Sequence, residues 1–136
     1  MKRQISAGFA ALCLLSPAWA DEAAAPRAGL MWNKTGLPAV FPLQVQTDPG
    51  QNYYLKLEDT ETGAPALAAF IEGGAHFRVL VPPGTFDLSF ATGEAWQGEE
   101  ALFGPETQRI VVSDPLTFAV KGLRTKSGYW LDLREE

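Results

Sequence analysis

Cysteine is nearly absent from this chain of 136 residues: there is one, Cys13. It falls in an apolar N-terminal stretch expected to be removed on export, so a disulfide framework is excluded even in a compartment that permits one. Histidine is as scarce, with His76 alone. One histidine and no remaining cysteine cannot complete a zinc, copper or haem site, and a nucleophile-base-acid triad has at most one imidazole to draw on. There is no Gly-rich phosphate loop between a strand and a helix and no D-x-D-x-D-G calcium spacing. No cofactor is therefore expected. Outside the first twenty residues no segment shows an apolar period of 3.6, which argues against a helical bundle.

Positive charge is in the minority. Eleven Lys and Arg face sixteen Asp and Glu, and two of the eleven, Lys2 and Arg3, open the chain. They precede an apolar stretch from Ile5 to Leu15 and the small-x-small triplet Ala18-Trp19-Ala20, the pattern of a Sec-type export signal cleaved after Ala20. The apolar run is shorter than the roughly 20 residues that span a bilayer, so the expected mature chain has no transmembrane segment. Cys13 follows Leu12 rather than a small residue, which speaks against lipidation. Residues 21–136 then carry nine basic and sixteen acidic side chains, a net charge of −7. Nucleic acid and anionic lipid bind chiefly through neutralised phosphates, so neither is expected as a partner. The expected location is the periplasm or the exterior of a bacterial cell.

What the chain does contain is strand pattern and turn chemistry. A composition of 46% hydrophobic and 20% charged residues fits one ordinary folded domain, too short for a two-domain enzyme. After an Ala-rich leader over 21–29, apolar residues alternate with period two: Phe41, Leu43, Val45; Tyr53, Leu55, Leu57; Phe77, Val79, Val81; Phe86, Leu88, Phe90; Leu116, Phe118, Val120; Tyr129, Leu131, Leu133. Each set lines one face of a strand. Tyr54-Lys56-Glu58, Thr85-Asp87-Ser89 and Trp130-Asp132-Arg134 supply the opposite, wet faces, as in antiparallel sheets. The runs 66–72 and 107–112 alternate less cleanly. Turn residues separate the runs at Asp48-Pro49-Gly50, 59–63, Gly73-Gly74, Pro82-Pro83-Gly84 and Ser113-Asp114-Pro115. Gly73-Gly74 has the composition of a two-residue hairpin turn. The prediction is an all-β fold, a small antiparallel β-sandwich of about seven to eight short strands over 30–136.

The run Val81-Pro82-Pro83-Gly84-Thr85-Phe86-Asp87-Leu88 resembles the V-P-x-G-x-Y/F-x-L turn and strand of transthyretin-like (prealbumin-like) sandwiches. That resemblance implies a Pro-Gly turn at Gly84 and a core aromatic at Phe86. The longer run from Pro83 through Trp96, Gly98 and Glu99 to Leu102-Phe103-Gly104 and Thr107 is similar to small uncharacterised bacterial exported proteins carrying P-x-G-x-Y-x-x-x-Y-A-x-G-x-x-W-x-G-E-x-x-L-F-G-x-x-T. Phe86 and Phe90 stand where that group has tyrosines. The second resemblance implies export and brings no activity with it.

The stretch 92–105 is the unusual one, joining Trp96 and Phe103 to Glu94, Glu99 and Glu100, with Glu106 beside it. On one reading it is a binding lip: Trp96 is an apolar plate and the carboxylates accept hydrogen bonds from hydroxyls or cations. On the other, Trp96, Leu102 and Phe103 fold back to plug the sandwich, since burying large apolar side chains is favourable by about 25 cal/mol per Å2. The acids also admit a glycosidase-like hydrolase centred on Glu94, Glu99 and Glu100, chemistry that holds two carboxyl groups roughly 5 to 9 Å apart. Adjacent Glu99 and Glu100 would point to opposite faces of a strand. Asp59, Thr60, Glu61 and Thr62 group oxygens in one turn, which a solvated turn explains. His76 falls opposite Phe77 in the alternation, on the wetter face beside Arg78. The expectation is a non-catalytic binding or structural module of the cell envelope. It would act on a protein or glycan through 92–105 or a sheet edge.

Overall fold

The computed structural model describes residues 26–120, 126 and 128–134. The expected export signal and positions 21–25 of the expected leader lie outside the described residues. Nine strands follow in order: β1 (Gly29–Asn33), β2 (Phe41–Gln46), β3 (Asn52–Asp59), β4 (Pro65–Glu72), β5 (Phe77–Val81), β6 (Gly84–Gly93), β7 (Gln108–Val111), β8 (Leu116–Phe118) and β9 (Tyr129–Asp132). The larger sheet runs β1-β4-β3-β6-β7, with β8 also on β6, and the smaller runs β5-β2-β9. The protein is an all-β sandwich.

The alternation explains the core. Phe41, Leu43 and Val45 of β2 and Phe77, Val79 and Val81 of β5 form one face of the small sheet. They join Leu55, Leu57, Leu88 and Phe90 of the large sheet in a single buried cluster. In β4 the alternation fails because all of 66–71 is buried. Leu67, Ala69 and Ile71 enter the core between the sheets, while Ala68 and Phe70 belong to a second cluster on the outer face of the large sheet. A strand covered on both faces reads as a continuous apolar run. The same cover corrects the expected wet face of β3, where Tyr54 is buried in that outer cluster.

The pair Gly73-Gly74 does not form a hairpin. It ends β4 of the large sheet and leads to β5 of the small one, so the chain changes layers there. The turn after β2 packs against it so closely that a Cβ on Gly73 would lie 2.0 Å from the Gln51 carbonyl oxygen. The Gly74 amide donates to Thr47 Oγ1 at 3.2 Å, and Thr47 is itself buried. Glycine is needed for close backbone approach rather than for hairpin twist. The 59–63 turn does close a hairpin, between β3 and β4, where Asp59 Oδ1 accepts from the Glu61 and Thr62 amides at 2.8 and 3.1 Å.

The remaining departures lie towards the C-terminus. Strands β7 and β8 line one edge of β6, opposite 89–92 and 84–86, broken by 113–115, where Pro115 has no N–H to donate. The expected run through Val120 stops at Phe118, and Val120 is exposed. Strand β9 pairs with β2 in parallel, the one departure from antiparallel order among the described strands. On the outer face of the small sheet the register sets Arg78, Gln44 and Trp130 side by side. Trp130 is 55% exposed. The His76 ring spans the Gln46 and Gln44 amide oxygens at 3.2 and 2.9 Å, on the wetter side as its place in the sequence implies.

Candidate functional site

Between β6 and β7 the chain makes a long excursion, 94–107, which folds back over the outer face of the large sheet. Its own hydrogen bonds hold its shape: the Gln97 amide donates to the Leu102 carbonyl, and the Leu102 amide to Gly98, both at 2.7 Å. Thr107 Oγ1 accepts from the Phe103 amide and donates to the Gly104 carbonyl. Leu102 sits at φ 57°, a left-handed conformation costing a non-glycine residue of order 1 to 2 kcal/mol. Burial of the neighbouring side chains holds it there.

Trp96 is 6% exposed, and Phe103 and Leu102 are buried with it. The Trp96 ring lies 5.4 Å from the rings of Tyr54, Phe70 and Phe103, edge-on to the last two. A Cβ on Gly93 would fall 2.4 Å from Phe103 Cβ, so the glycine leaves the space Phe103 fills. Of the two readings of this stretch the plug describes the geometry. Trp96 is not available as a binding plate, because it is buried among three other rings, and Phe103 reaches a cavity only as part of its wall.

Glu99 is where the excursion is tied to the sheet. Its Oε1 accepts from Trp32 Nε1 of β1 at 2.7 Å and from the Tyr54 hydroxyl of β3 at 2.8 Å. Lys34 Nζ lies 4.4 Å from the Trp32 ring centroid. The Trp32 hydrogen bond, with that from Tyr54 and the charges of Lys34 and Lys56, holds the Glu99 carboxyl below its ordinary range against a smaller opposing effect of burial. Tyr54 is pushed upward, first by burial and then by Glu99. A carboxyl lowered on folding adds stability above its unfolded pKa, about 4.3, and that contribution is lost as pH falls through the folded value. The melting temperature of wild type should therefore exceed that of Glu99→Gln near neutral pH, and the gap should close as pH falls through and below the ordinary carboxylate range. A gap independent of pH would show that the carboxylate charge is not what holds the tether.

Glu94 belongs elsewhere. It lines two neighbouring cavities of about 580 and 620 Å3 that share Gln51, Thr92, Glu94 and Gln108 and so form one trough at the end of the sandwich. Gln97 and Glu106 border one half, Asp48 and Arg109 the other. The buried Thr92 hydroxyl lies 3.0 Å from both Gln51 Oε1 and the Asn52 carbonyl, which fixes the Gln51 amide in the wall. Glu99 and Glu100 line a third, smaller cavity that shares only Arg109 with the trough, on the half bordered by Asp48. The expected site residues thus divide into Glu94 in the trough, Glu99 and Glu100 on the sheet face, and Trp96 and Phe103 packed between. Gln51, Thr92 and Gln108 had no signal in the sequence: they come from a turn, a strand end and an edge strand, and neutral amides carry no motif.

Among the described residues no group of three or more His, Cys, Asp or Glu is placed to hold a metal ion, and no helix is long and apolar enough to cross a membrane. No family model, curated protein or solved structure matches the chain.

Proposed function

We propose that this protein is an exported, non-catalytic binding module of the bacterial cell envelope, and that its trough takes a hydroxyl-rich glycan. The observation that carries this reading is the trough's lining: three glutamine amides, a threonine hydroxyl and three carboxylates along a cavity of the size that holds an extended small ligand. Primary amides both donate and accept, and carboxylates accept, so adjacent ligand hydroxyls meet complementary partners. The composition of residues 1–20 supports export. Without an exposed aromatic plate the affinity should be modest. A glycan array followed by titration calorimetry tests the reading: binding of neutral oligosaccharides should fall about tenfold in Glu94→Gln and in Gln108→Ala, at unchanged melting temperature. Binding indifferent to both substitutions, or no glycan binding at all, would remove it.

A second reading has its own observation. Val111 on edge strand β7 is 70% exposed, and an unpaired edge accepts an added strand from a protein partner.

A further inference from the structure

The smaller cavity lies on the outer face of the large sheet, under the rim of the 94–107 excursion, with a volume of about 170 Å3. Its floor is set by register. Lys56 pairs with Ser89 across β3 and β6, Tyr54 with Ala91, and Arg109 of β7 lies opposite Ala91 on the far side. Glu99, Glu100 and Leu102 overhang that floor from the excursion.

Two cations and two carboxylates therefore border one small space. No direct ion pair joins them: among the described residues the ion pairs are Lys56 with Glu58 at 3.5 Å and Arg134 with Asp132, and neither crosses this cavity, so Lys56 acts on Glu99 only at longer range. Glu99 is oriented in advance, because both of its donors hold Oε1 and no described group donates to Oε2. Arg109 has five donors in a planar fork suited to a carboxylate, and no described acceptor engages it. The volume is below the roughly 300 to 1,000 Å3 of pockets that enclose larger ligands, which excludes an oligosaccharide. A ligand that completes this arrangement is small and carries a positive and a negative group close together.

We propose that this cavity binds a small free α-amino acid as its zwitterion, the ammonium on Glu99 and Glu100 and the carboxylate on Arg109 and Lys56. The site shares Arg109 with the half of the trough that Asp48 borders, but its assignment does not depend on the glycan reading.

The test is an amide-detected NMR titration of the isotopically labelled protein with L-alanine, propionate, ethylammonium and alanylalanine. L-alanine should give saturable shifts centred on Ser89, Ala91, Glu100 and Arg109. Propionate and ethylammonium, each carrying one of the two charges, should bind about tenfold or more weakly, as should alanylalanine with its charges set apart. Arg109→Gln and Glu100→Gln, both at exposed positions, should each weaken L-alanine about tenfold with melting temperature unchanged. The proposal is overturned if L-alanine gives no saturable shift, if either single-charge compound matches it, or if both variants bind it as wild type does. Alanylalanine binding as tightly as L-alanine would overturn the free amino acid in favour of a peptide.

Discussion

Replacing Phe86 by alanine is expected to lower the unfolding free energy by about 3 to 5 kcal/mol, a large part of the 5 to 15 typical of a whole domain. Phe86 is buried in the cluster between the sheets, 6.3 Å from the Phe118 ring, on a strand paired on both sides. Truncation there loses both transfer free energy and packing, since the surrounding strands are held by their ladders and cannot collapse into the space. Thr85→Ala, one residue earlier and on the opposite face, should cost less than about 1 kcal/mol. It removes a hydroxyl contact with Thr117 at 3.0 Å on a part-exposed surface. Urea melts of the two variants decide the register. A one-residue slip exchanges inward and outward sets, so greater damage from Thr85→Ala would refute the assignment of β6.

Trp96→Ala is expected to cost a similar amount, about 3 to 5 kcal/mol, although the residue lies outside regular structure. Its indole contacts three other rings and closes the second apolar cluster over Phe70, Ala68 and Ala91. Removing it takes away the apolar reason for 94–107 to lie on the sheet, leaving the Glu99 tether and the internal hydrogen bonds of the excursion. Cleavage by a protease between 94 and 107 should rise together with the loss in denaturant midpoint. A variant with wild-type stability and unchanged cleavage would mean that Trp96 fills space without holding the excursion to the sheet.

The strands carrying the inner face were legible because their period of two survives burial on one side. Phe41 to Val45, Phe77 to Val81 and Phe86 to Phe90 are buried at alternate positions and more open between, as the pattern demands. The pattern weakens where a strand is covered on both faces, as in β4, or where an edge strand is short, as in β7. Gly73-Gly74 shows the same limit at a turn. Two glycines state that the backbone needs freedom or space there. Whether the chain then pairs back or crosses to the other sheet depends on which strand edge is already occupied, and β3 and β1 take both edges of β4.

The sequence by itself determined an all-β class, the inward residues of most strands and the scarcity of metal-ligating side chains. These follow from residue identity and local period, which act over a few positions. Only the tertiary structure decided that Trp96 is a plug, that Glu94 and Glu99 serve different cavities, and that Gln51, Thr92 and Gln108 meet in one wall. The hydrogen bond from Thr92 to Gln51 joins residues 41 positions apart, and that from Trp32 to Glu99 joins residues 67 apart. Such contacts are set by strand order and by the packing of 94–107 on the sheet. A pattern that repeats every two residues carries no information about either.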